Sequence, residues 1–260
     1  MQNPLLVTLL CFTSFFLHSQ GTPFYGPGTT RAVVIGISDY QDSHIPDLNY
    51  ADKDAEAFAA YLQSPAGGNV PPENLKLLLN EQATMAAVAG ELDWLVEASQ
   101  AEDQAIIYFS GHGDVEAKTA RQPGFLLTYD SPSKIYIAGA YPLFYLQLII
   151  ETLSLDKNVQ TLVITDACRA GKLAGSEIGG TQATAANLAK QYANEIKILS
   201  CQPDEFSLEG QQWGGGRGVF SYHLIEGLIG LADKNHNYQV NLLELENYLE
   251  EVVPLGEDRR

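Results

Sequence analysis

Cysteine is scarce in this chain of 260 residues, which has three. Cys11 lies in an apolar run near the start, and only Cys168 and Cys201 remain to form a structural disulfide if the protein is exported. Long apolar runs are missing too. No stretch reaches the ~20 residues that a membrane-spanning helix requires. Positive charge is short: 15 Lys and Arg face 32 Asp and Glu, for a formal net charge of -17. Nucleic acids reward a basic face, so this balance excludes them as the expected partner and suits a cationic ligand. Apolar residues still make up 45% of the chain, enough for a sizeable core.

The first twenty residues differ from the rest. Leu5 to Leu17 is apolar and uncharged, and a small polar stretch from His18 to Gly21 follows. The run has the length of a signal-peptide core and is too short to cross a bilayer. Residues 1–20 are therefore expected to be a signal peptide and the mature protein to be exported, periplasmic or extracellular, with no membrane partner once they are removed. No Lys or Arg precedes the run, which leaves the other reading open, an apolar arm packed on the domain.

From about residue 30 strands and helices alternate. Arg31 to Ile37 is a β-branched run suited to a strand buried on both faces. Ala51, Ala55, Phe58, Ala59 and Leu62 recur at helical spacing. Further strands are expected at 75–79, 105–109, 159–165 and 195–201, and helices at 85–98, 142–152, 218–231 and 242–251. Residues 125–137 read as a hairpin around Asp130-Ser131-Pro132. This alternation implies an α/β fold with a mainly parallel sheet covered on both sides. Functional residues in such sheets collect beyond the carboxyl ends of the strands.

Two residues stand at such ends. His112 follows the third strand between Gly111 and Gly113, and Cys168 follows the fourth in T-D-A-C-R-A-G. If the two strands are neighbours, thiol and imidazole share one cleft. A thiolate is a nucleophile that an imidazole generates at neutral pH, and the same imidazole later protonates the leaving amine. The amides of Gly113 and Cys168 are candidate donors to the oxyanion. A turn histidine and an inert or disulfide-bonded cysteine are the plainer readings of the same residues.

Taken together, S-G-H-G-D at 110–114 and D-A-C-R-A-G at 166–171 resemble the caspase and metacaspase family, whose signature carries its histidine ~50 residues before the cysteine. R-A-V-V-I-G-I at 31–37, L-x-x-A-x-x-D-A at 48–55, I-L-S-C-Q-P-D-E at 198–205 and G-V-F-S-Y-H-L at 218–224 extend the resemblance over most of 30–250. It implies a three-layer sandwich, with a mostly parallel six-stranded sheet and helices on both faces. The domain spans 30–252, after a short leader at 21–29 and before a tail at 253–260. It also implies a cysteine endopeptidase that needs no cofactor. Asp166 stands where caspases have glutamine and metacaspases an acid, and Asp54 matches a second metacaspase acid. Together they would bind Arg, or less well Lys, on the amino side of the cut, so that peptides and proteins bearing those residues are the substrates. A solvated helix start remains the alternative for Asp54, and Asp204 and Glu205 would extend an acidic rim. An inactive binding module and an aspartate-specific peptidase are the competing functions.

Two further expectations follow the same resemblance, and a third comes from residue spacing. The segment from Arg169 to Asn194 resembles the region between caspase subunits, where self-cleavage after Lys172 or Lys190 would occur. Trp213 to Arg217 would border the substrate groove. Asp233, Asn235, Asn237, Gln239, Asn241 and Glu244 have the spacing of a calcium loop, but Tyr238 stands where glycine belongs. A polar turn capping two helices is the favoured reading, and calcium stays an option.

Overall fold

The computed structural model describes residues 28–116, 118–120, 122–167, 195–200 and 208–253. The signal-peptide expectation, Cys168, Lys172, Lys190, Cys201, Asp204, Glu205 and most of the tail lie outside these residues.

Five strands form the main sheet: β1 (Thr30–Gly36), β2 (Leu75–Leu79), β3 (Gln104–Ser110), β7 (Gln160–Asp166) and β8 (Glu195–Leu199). They lie in the order β2-β1-β3-β7-β8, and every pairing is parallel. Side chains alternate between the faces, and the sequence supplies apolar residues for both. Val33, Ile35, Ile107, Phe109 and Val163 point to one side. There they meet α2 (Met85–Ala98) and α3 (Leu143–Glu151) through Val88, Leu92, Leu95, Leu146 and Ile150. Ala32, Val34, Ile106, Tyr108 and Ile164 point to the other. They meet α1 (Ala51–Gln63), α4 (Val219–Glu226) and α5 (Leu242–Val252) through Phe58, Leu62, Leu224 and Leu245. The result is the expected three-layer α/β sandwich. No helix among the described residues is long and apolar enough to cross a membrane.

Two expectations are corrected. The sheet has five strands among the described residues rather than six. The next extended pieces, β9 (Glu209–Gly210) and β10 (Arg217–Gly218), pair with each other as an antiparallel ribbon instead of extending the edge at β8. Residues 125–137 are not a hairpin folded on itself. β5 (Gly124–Leu126) pairs with β4 (Gly113–Val115) on one side and β6 (Tyr141–Pro142) on the other. The turn signal at Asp130-Ser131 is spent locally: Ser131 Oγ accepts from the Thr128 amide at 2.8 Å, and Thr128 Oγ1 donates to the Gly139 carbonyl at 2.7 Å.

Candidate active site

The carboxyl ends of β3 and β7 are adjacent, with Ser110 opposite Asp166. Beyond the ladder, the Gly111 amide donates to the Asp166 carbonyl at 3.1 Å, so the chain leaves both strands in register. Cys168 itself lies outside the described residues. The strand leading to it ends at Asp166, and buried Ala167 is the last described residue before it.

His112 is 3% exposed and fixed at three points. Its amide donates to the Tyr40 hydroxyl at 2.8 Å, and its ring stacks on the Tyr40 ring with centroids 5.1 Å apart. Its Nε2 lies 2.8 Å from the Pro46 carbonyl oxygen. A carbonyl only accepts, so Nε2 carries the proton and Nδ1 holds the lone pair of the neutral ring. Burial raises the Tyr40 hydroxyl pKa far above the ordinary tyrosine value, so it stays a neutral hydroxyl. Tyr40 and Pro46 both belong to the loop between β1 and α1. Neither showed in the sequence, because one acts through its main chain and the other is one tyrosine among 13.

Gly113 opens β4 opposite Leu126. The bond beside this pair runs from the Leu127 amide to the His112 carbonyl, at 2.8 Å. Gly113 and Leu126 are therefore a non-hydrogen-bonded pair, and the Gly113 amide is turned away from β5.

Asp54 sits in the first turn of α1 and is 2% exposed, so the solvated-helix reading does not hold. Its Oδ1 accepts from Arg217 Nε at 2.6 Å, and its two oxygens accept from the Gly218 amide at 3.1 and 3.0 Å. Asp166 is 6% exposed, and its Oδ2 accepts from Ser221 Oγ at 2.8 Å. Ser221 in turn meets the Tyr108 hydroxyl at 2.6 Å. The two acids converge on one spot: a Cβ built on Gly218 would fall 2.8 Å from an Asp54 carboxylate oxygen and 3.0 Å from one of Asp166. Only glycine permits that approach. Burial, and then repulsion from Asp166, push the Asp54 carboxyl up to about 8, while Arg217 and the Gly218 amide pull it down. The structure thus brings the two predicted acids together. It adds Ser221 and Tyr108, and it gives Arg217, expected only as the end of a loop bordering the groove, a contact with Asp54.

The calcium-loop oxygens bond within their own turn. Asp233 accepts from the Asn237 and Tyr238 amides, Asn235 Nδ2 donates to Glu244 Oε1 at 2.5 Å, and Asn241 and Glu244 form a capping box at the start of α5. Tyr238 adopts the left-handed conformation itself, with φ 64. No group of three His, Cys, Asp or Glu that could hold a metal occurs among the described residues. The capping box is the feature the polar-turn reading expects.

A family model described as a caspase domain matches residues 29–253. The crystal structure of protein GSU0716 from Geobacter sulfurreducens matches with a TM-score of 0.62 and 19% identity, over 87% of this chain and 89% of that one. A structure of pro-Sf-caspase-1 matches with a TM-score of 0.53 and 12% identity, over 93% and 89%. At these identities the two structures carry the fold alone. No curated protein sequence matches.

Proposed function

The chain belongs to the caspase domain family, and on that premise we propose that it is an exported cysteine endopeptidase cutting after Arg and, less well, Lys. The observation that carries the reading is the fixing of His112. A buried imidazole, its tautomer set by the Pro46 carbonyl, stands past β3 beside the strand that leads to Cys168.

The Cys168 thiol loses its proton to His112 Nδ1, and the sulfur attacks the scissile carbonyl carbon. The Gly113 amide, turned away from β5, and the Cys168 amide hold the oxyanion. The carbon–nitrogen bond then breaks, and His112 returns the proton to the leaving amine. Water, deprotonated by His112, cleaves the thioester and restores the thiol. The Pro46 carbonyl keeps the ring oriented through both transfers, and no cofactor is needed. Asp54 and Asp166 provide the negative charge for the basic side chain.

The test uses protein starting at residue 21 and its Cys168→Ala variant, on peptides ending in Arg, Lys, Asp or Leu, with and without calcium. Turnover of Arg and Lys peptides that the variant lacks is expected. Turnover confined to Asp peptides would keep the peptidase and remove the basic pocket, and a folded, silent protein with a free thiol would favour a binding module. Mass spectra of the same incubations report self-cleavage after Lys172 or Lys190. Export predicts that mature protein begins near residue 21; N-terminal sequencing that finds Met1 retained would refute it.

A further inference from the structure

One cation already sits on Asp54. The Arg217 guanidinium meets Asp54 through Nε, whereas guanidinium and carboxylate bind best as two parallel hydrogen bonds. Arg217 Nη2 is buried without a hydrogen-bond partner among the described residues. A half-used guanidinium is a poor structural tie, since a buried donor left unmade is costly.

The surroundings leave the side chain as the movable part. The Arg217 backbone is held by its pairing with Gly210, and the next residue by its amide on Asp54. Before it run Gly214, Gly215 and Gly216, with φ of +57, +82 and +125, and a Cβ on Gly215 would meet nothing within 4 Å. At Gly214 the loop carries no side chain against the arginine stem, where a Cβ would fall 3.3 Å from Arg217 Cγ. Whatever the proton count on the two acids, Arg217 removes one unit of negative charge from the pocket.

We propose that Arg217 is a specificity-determining residue of the basic pocket, a resident guanidinium that holds Asp54 in the free enzyme and that the substrate's own cation displaces. This rests on the basic-pocket reading above. Displacement taxes every cation by the same factor, because each must first vacate the resident. Arg and Lys substrates are therefore penalised equally, and a neutral side chain that makes no use of Asp54 gains nothing from vacating it.

The experiment compares the wild-type protein from residue 21 with Arg217→Ala and Arg217→Met, the latter keeping the apolar stem. Benzamidine binding is measured by calorimetry and thermal shift, and KM is measured for Arg, Lys and Leu peptides. Removing the resident charge is expected to tighten benzamidine by roughly tenfold or more. KM should fall by a common factor for Arg and Lys and stay put for Leu. Folded variants that bind benzamidine no better, while the wild type cleaves Arg peptides, overturn the proposal and leave the basic pocket standing. Loss of the fold in both variants, unrestored by benzamidine, makes Arg217 structural and overturns it as well. Wild-type cleavage of Asp peptides that Arg217→Ala abolishes would make Arg217 a ligand for acidic substrates instead. Absence of basic cleavage and of benzamidine binding in the wild type removes the pocket reading and this proposal with it.

Discussion

Replacing His112 with alanine is expected to lower kcat by roughly 10³- to 10⁴-fold, the upper part of what a positioned acid–base group contributes. The same ring takes the thiol proton and gives it to the amine, so its loss strikes both halves of the cycle. The ring is buried against Tyr40, and alanine leaves a hole there, so folding is checked by circular dichroism. A second readout separates chemistry from structure. Without an imidazolium partner, alkylation of Cys168 by iodoacetamide should follow an ordinary thiol midpoint near ~8.5 rather than a depressed one. Unchanged kcat, or an unchanged alkylation profile in the folded variant, would remove His112 from the mechanism.

The second large effect concerns Asp54→Asn. In the folded protein the Asp54 carboxyl lies at about 8 against an ordinary 3.8, because burial first and Asp166 next disfavour its charge. The unfolded chain gives up this proton at the lower value. The contribution to stability is thus fully present below about 3.8 and is lost as pH rises to about 8. Asparagine cannot titrate, so the variant should show a flatter dependence of urea midpoint on pH across this window. Substrate affinity moves the other way. Ionisation of Asp54 strengthens its pull on a basic side chain, so KM for Arg peptides should fall as pH rises through about 8. In Asp54→Asn that trend should vanish, and KM should rise by roughly 10- to 100-fold, the range for a lost charge-assisted bond. Equal KM values at all pH would take Asp54 out of the pocket.

The layers were legible because the signals behind them are local. β-branched runs such as Arg31 to Ile37 and the helical spacing from Ala51 to Leu62 fix element type within a few residues. The alternation of strands and helices implied a parallel sheet but left the adjacency of β3 and β7 as a condition; their pairing in the structure puts His112 and the approach to Cys168 on one edge. What escaped the sequence depends on distant contact. Gly124–Leu126 pairs with β4 and β6 rather than with its own turn, and no periodicity in a three-residue strand announces its partners. The Pro46 carbonyl carries no side-chain signal. Arg217 looked like the end of a glycine loop, since the partner that gives it meaning is 163 residues away.

That long separation bears on what unites the molecule. β7 and β8 flank the stretch from Cys168 to Asn194, and they are zipped together at five register positions from Thr161 to Thr165. Across the same stretch of sequence, the first turn of α1 meets the β9–β10 ribbon through Asp54, Arg217 and Gly218. The portions before and after that stretch are therefore joined by a sheet and by the hydrogen bonds that Gly218 and Ser221 donate to the two acids. Both acids precede that stretch, and the residues that hold them, Arg217, Gly218 and Ser221, follow it, so the acid site is complete only when the two portions meet.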